Sequence, residues 1–210
     1  LGYTDFVAQA LQQEGLLTSY NKGFAYSGYT TKNVLTDLQD DVEKPVTGFG
    51  YTNDRAKLRA SIQEAELITL TAGANDLLPI LKQSSTTGID TAAIIKASQE
   101  AINNIAAILK EIKKLNPQVQ IYVMGYYNSF PYYSEDLQTQ FKMLLGLMNA
   151  SIKATAEKAG AIFVPTYDVV AKDVPNFLPN PENIHLSEAG YLAVAKQAFL
   201  PAIKASSLWD

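Results

Sequence analysis

The stretch Leu67-Ile68-Thr69-Leu70-Thr71-Ala72-Gly73-Ala74-Asn75-Asp76 decides the fold. Its first five residues are apolar or β-branched throughout, the pattern of a short strand covered on both faces. Gly73, Asn75 and Asp76 then end it in turn-forming residues. Further along, residues 91–115 place Ile94, Ala97, Ala101, Ile105, Ile108 and Ile112 on one helical stripe, and Asn116-Pro117 stops it. A second strand is predicted over residues 120–125, a helix over 134–158 and a third strand over 161–164. The last helix starts after Ser187, an N-cap residue with Glu188 in the first turn, and runs to about Phe199.

On the N-terminal side, Phe6, Val7, Ala10 and Leu11 predict a helix over residues 4–14 ended by Gly15. After it come a strand-like piece over residues 17–24, a turn-rich segment 26–31 and a helix over 32–42. Residues 84–88 read as a surface loop. Strands alternating with helices predict an α/β fold: a three-layer α/β/α domain with a parallel, flavodoxin-like sheet, single over residues 1–210.

The chain has 210 residues, 47% of them hydrophobic and 18% charged, which excludes a disordered segment. Its net charge of -4, without a basic cluster, argues against a nucleic-acid partner. The absence of cysteine excludes disulfides, thiolate metal sites and a cysteine nucleophile. No apolar run approaches the roughly 20 residues of a membrane span. The chain starts at Leu1, from which we expect that a signal peptide, an anchor or a piece of the domain lies upstream. The expected location is secreted or membrane-anchored, with membrane contact only through such an anchor.

In sheets of this kind ligands bind beyond the carboxyl ends of the strands. Three segments fall there: Gly28 with its neighbours, Gly73-Ala74-Asn75-Asp76, and the loop holding His185. A glycine N–H at Gly28 and the side-chain amide of Asn75 are two donors suited to an oxyanion hole. His185 is the one histidine of the chain, so any imidazole proton transfer falls to it. The alternatives for these residues are structural: a turn at Gly28, a cap at Asp76 for a helix beginning at Leu77, and a surface histidine.

Taken in order, Asn21-Lys22-Gly23…Ser27-Gly28-Tyr29-Thr30-Thr31, Gly73-Ala74-Asn75-Asp76 and Glu182-Asn183-Ile184-His185 resemble landmark blocks of the GDSL-type esterases and lipases of the SGNH hydrolase superfamily. The resemblance implies a serine ester hydrolase that needs no metal and no cofactor. It implies Gly28 and Asn75 as oxyanion donors, with Gly23 as the fallback for Gly28, and His185 as general base. The residue three before the histidine is usually aspartate in the family; here it is Glu182, implied to orient the imidazole.

The nucleophile block Gly-Asp-Ser-Leu is absent, and Gly2-Tyr3-Thr4-Asp5-Phe6 resembles the family's entry to the first helix, shortly after that block. Ser27, Ser129, Ser134 and Ser187 are poor substitutes by position. The serine is therefore expected upstream of Leu1, on a first strand lying between the strands near Leu17 and Leu67 in a flavodoxin-like order. Omitting a central strand would leave buried groups unpaired at about 1–3 kcal/mol each, against a domain stability of roughly 5–15 kcal/mol. This chain alone is expected to be inactive. A non-catalytic binding module or an inert fragment on the same fold are the rival readings. Tyr126, Tyr127 and Phe130, in an aromatic loop at a strand exit, are the candidate lining of the substrate pocket. The partner is a small ester: a lipid, an acyl ester or an acetylated sugar.

Overall fold

The computed structural model describes residues 1–206. Helix α1 (Tyr3–Gln13) is followed by strand β1 (Tyr20–Asn21), helix α2 (Thr31–Asp40) and the short strands β2 (Glu43–Pro45), β3 (Gly48–Phe49) and β4 (Arg55–Lys57). Helix α3 (Leu58–Glu64) leads into β5 (Leu67–Leu70), then α4 (Ala74–Thr87) and α5 (Thr91–Leu115). Strand β6 (Gln120–Met124), helix α6 (Glu135–Lys158) and strand β7 (Ile162–Val164) come next. Helices α7 (Tyr167–Ala171), α8 (Val174–Phe177) and α9 (Glu188–Val194), a π-helical turn (Ala195–Phe199) and α10 (Leu200–Lys204) close the described chain.

The central sheet is parallel, in the order β5-β6-β7, with Leu67 opposite Gln120 and Tyr122 opposite Ile162. Each of its connections is a helical crossover, as parallel pairing requires. Ile121, Tyr122 and Val123 of the middle strand are buried, because helices cover both faces. Those helices form two packed groups: α2, α4 and α6 against α5, and α1, α7 and α8 around α9 and the π turn. Ile94, Ala101, Ile105, Ile108 and Ile112 of α5 are buried as their spacing predicts, while Ile95 on the flank is 46% exposed. Strand β5 has a strand neighbour on one side only among the described residues, and Leu67, Ile68 and Thr69 are only half-buried.

Two expectations need correction, and one strand pair was not expected. Residues 17–24 yield only the two-residue β1, which pairs antiparallel with β3 and stands outside the central sheet. Tyr20 and Asn21 are half-buried, and the polar Asn21-Lys22 offers no second apolar face for a covered strand. The β2–β4 pair escaped prediction because its residues are mostly charged; a surface contact, Arg55 Nε to Glu43 Oε1 at 2.8 Å, spans it. Residues 84–87 form the last turn of α4 instead of a loop, with Ser84 Oγ donating to the Ile80 carbonyl and Gly88 as C-cap.

The start of α1 is tied to β1 and the residue after it. The Asp5 carboxylate accepts from the Gly2 N–H, from Lys22 Nζ at 2.7 Å and from the Tyr20 hydroxyl. Burial alone would raise the pKa of Asp5, but these three donors outweigh it and hold the carboxyl below its ordinary range. Among the described residues no helix is long and apolar enough to cross a membrane.

Candidate active site

The loop between β1 and α2 distinguishes the two glycine candidates. The Gly23 N–H is already taken, donating to Asn21 Oδ1 at 2.8 Å, and the same oxygen accepts from the Thr47 N–H at 3.0 Å. A Cβ on Gly23 would collide with the Pro45 carbonyl oxygen, so that glycine serves close backbone approach. Gly28 is different: it is exposed, adopts φ +85°, and its N–H is unpaired among the described residues. The positive φ suits glycine.

Two groups hold this loop. Thr30 caps α2, its hydroxyl oxygen accepting from the Asn33 N–H at 3.2 Å. Lys44 reaches from β2 to donate to the Tyr29 hydroxyl and to Asp37 Oδ2, both at 2.9 Å. Its ammonium also lies 4.4 Å from the centroid of the Tyr26 ring and 4.6 Å from that of Tyr29. Burial alone would lower the Lys44 pKa, yet the Tyr29 and Asp37 contacts raise it.

Asn75 and Asp76 join the second strand exit to the first. Asn75 Nδ2 donates to the Tyr29 carbonyl at 2.8 Å, which brings the amide to the residue beside Gly28 and leaves its other hydrogen available. Asp76 does not cap a helix at Leu77, because α4 already begins at Ala74. Its carboxylate instead accepts from Thr31, the N–H at 2.9 Å and the hydroxyl at 2.6 Å, and so caps α2 from another element. Thr31 is fully buried, and Asn104 Nδ2 donates to its hydroxyl oxygen at 3.0 Å. No local sequence pattern announces this long-range cap.

The aromatic loop after β6 divides its labour. Tyr126 and Phe130 are buried and line an apolar cleft that begins at Ala74, directly before Asn75. Leu77, Leu81, Ile94, Leu145 and Met148 continue that lining between α4, α5 and α6. Tyr127 also borders the cleft, but its hydroxyl donates to the Ile184 carbonyl at 2.7 Å and anchors the loop holding His185. Burial pushes the phenols of Tyr126 and Tyr127 well above their ordinary range, so both stay neutral. Tyr132 adds a second tie, its hydroxyl donating to the Leu178 carbonyl at 2.8 Å. Tyr127→Phe should lower stability by about 1 kcal/mol, read from the urea midpoint at constant m-value. An unchanged midpoint would show that the Ile184 carbonyl is satisfied without Tyr127.

His185 lies in the exposed loop before α9, whose first turn is capped by Ser187 Oγ accepting from the Gly190 N–H. The structure does not bring Glu182 to the imidazole. The Glu182 side chain is exposed and makes no hydrogen bond among the described residues. Asn183 faces the ring instead: its Oδ1 lies 2.9 Å from His185 Nδ1 and 3.0 Å from the His185 backbone nitrogen. Glu182, implied by the family resemblance, and Asn183, found against the ring, stand one residue apart in the same turn. Among the described residues, no group of three or more His, Asp or Glu is placed to hold a metal ion.

The profile of the GDSL-like lipase/acylhydrolase family matches residues 1–193. The uncharacterized protein YpmR of Bacillus subtilis (strain 168) is 22% identical over 209 residues, covering 99% of this chain and 75% of YpmR. The crystal structure of the lipase Lip_vut3 from a goat rumen metagenome superimposes with a TM-score of 0.78 at 20% identity, covering 99% of this chain and 90% of that one. An acetylxylan esterase from Geobacillus stearothermophilus, solved as a catalytic mutant with alanine in place of a serine, aligns with a TM-score of 0.61 at 16% identity over 97% of this chain and 81% of its own.

Proposed function

The chain belongs to the GDSL-like lipase/acylhydrolase family, and from that premise we propose that it carries the base and the oxyanion donors of a serine ester hydrolase working through an acyl-enzyme. The observation that carries this reading is the Asn75–Tyr29 bond, which brings a side-chain amide to the residue next to Gly28, whose N–H is unpaired among the described residues. A serine hydroxyl attacks the ester carbonyl while His185 Nε2 takes its proton. The carbonyl oxygen, now negative, receives the Gly28 N–H and the second hydrogen of Asn75 Nδ2. Collapse breaks the bond to the alcohol, which leaves with the proton from His185. Water then repeats the sequence on the acyl-serine and releases the acid.

We place the serine on a strand upstream of Leu1, alongside β5. One observation supports this: strand β5 is half-buried, with one flank lacking a strand partner among the described residues. The internal serines have other tasks or positions. Ser187 Oγ donates to the Asn176 carbonyl besides capping α9, and no serine among the described residues bonds to His185. The test is hydrolysis of p-nitrophenyl butyrate by this chain and by the protein with its natural upstream sequence. Activity should require the longer protein; equal activity in both would overturn the upstream serine.

For the acyl group we propose chains longer than acetyl. The cleft beginning at Ala74 is lined mainly by Leu, Ile, Met and aromatic side chains, with Ser98, Asn128 and Ser129 as its polar members. Each methylene buried there should contribute about 0.8 kcal/mol, so two methylenes should raise kcat/KM roughly tenfold or more. Butyrate and hexanoate esters should therefore exceed acetate by at least that step, and Leu81→Trp should flatten the series. A maximum at acetate would refute the assignment of the cleft.

A further inference from the structure

We infer that Asn183, and not a carboxylate, orients the imidazole of His185 and selects its basic nitrogen. The inference rests on the reading of His185 as general base. Two donors meet one oxygen here. The His185 backbone N–H can only donate, and its partner at 3.0 Å is Asn183 Oδ1. That contact identifies the atom as the amide oxygen, because an NH2 group in its place would set donor against donor. The same oxygen lies 2.9 Å from His185 Nδ1. An amide oxygen accepts only, so Nδ1 must carry the hydrogen, and the lone pair of the neutral ring sits on Nε2. Nε2 is the nitrogen a general base must present.

Glu182 does not supply this contact. Its backbone N–H is held by Asn180 Oδ1 at 3.0 Å, which turns the chain at Asn180, while its carboxylate is exposed to water. The other titratable groups around the loop are Glu188 and Tyr191 on α9 and Tyr127 from the β6–α6 loop, and none bonds to the ring. A neutral acceptor holds the ring and its tautomer without adding a charge opposite the imidazolium. The base is thereby positioned by a group that keeps the same form at every pH, as in hydrolases whose histidine is oriented by asparagine.

Because His185 is the only histidine, its two ring nitrogens give the only imidazole signals in a long-range 1H–15N spectrum. With the imidazole neutral, the parent chain should show the Nδ1–H form, and Glu182→Gln should leave it unchanged. Asn183→Ala should lose that preference. Asn183→Asp should keep it, because a carboxylate oxygen also accepts from Nδ1–H. In the active protein Asn183→Ala should lower kcat at least tenfold with KM little changed, and Asn183→Asp should restore activity. An Nε2–H form in the parent, or a tautomer and kcat that follow Glu182→Gln instead of Asn183→Ala, would overturn the inference. The spectrum needs no activity, so this outcome is separable from a failure of the esterase reading, which His185→Ala tests by itself.

Discussion

Replacing His185 with alanine should lower kcat for p-nitrophenyl butyrate by on the order of 10³-fold or more in the protein that carries its natural upstream sequence. The size of the loss comes from the lack of any other imidazole in the chain. No second base stands by to take the serine proton, and the residual rate would come from the oxyanion donors and binding alone. Thermal unfolding should be unaffected, because the ring is exposed and its hydrogen-bond partner among the described residues is Asn183, two residues away. The pairing of a large kinetic loss with an unmoved midpoint is the signature of a catalytic residue. A His185→Ala protein that hydrolyses the ester at the parental rate would remove His185 from the chemistry.

The second large effect is on stability, at a residue to which the proposed mechanism gives no step. Asp76→Ala should destabilise the domain by about 3 kcal/mol, measured as a lower urea midpoint at constant m-value. Two charge-assisted bonds, to the Thr31 N–H and hydroxyl, are lost together, each worth about 1.5–3 kcal/mol before relaxation. Thr31 is fully buried at the first turn of α2, so water cannot replace the carboxylate without opening the interface with α5. The loss should extend to kcat, since Thr31 comes directly after the loop that carries Gly28. Asp76→Asn keeps one acceptor oxygen and should lose roughly half as much. A midpoint unchanged in Asp76→Ala would mean that α2 is held at its start by Thr30 and Asn104 without Asp76.

Much of the fold is written locally. Helix α5 runs over residues 91–115 as predicted, because its apolar stripe repeats at helical spacing and Asn116-Pro117 cannot continue it. Strands β5, β6 and β7 were legible as short apolar runs bounded by turn residues, and Ser187 as a cap. Residues 84–87 misled although they simply continue α4, with Ser84 bonded locally to the Ile80 carbonyl; the other misleading segments have structures that depend on a distant partner. Strand β1 exists only by pairing with β3, and β2 only by pairing with β4, so neither carries an apolar period of its own. The bonds of Asp76 to Thr31, 45 residues away, belong to the same class.

By itself the sequence determined the α/β layering and named His185, Gly28 and Asn75 as the residues on which ester chemistry would turn. The layering rests on apolar patterns and strand ends, which are local, and the three residues on those strand ends together with the resemblance of their blocks to the family's. Only the tertiary structure tells the two glycines apart, because the Gly23 N–H donates to Asn21 while that of Gly28 has no partner among the described residues. Only it turned Tyr127 toward the Ile184 carbonyl and set Asn183, in place of Glu182, against the imidazole. The physical reason is common to these cases. A hydrogen bond depends on a few tenths of an ångström and on which way a side chain points, and both are settled by packing after the chain has folded.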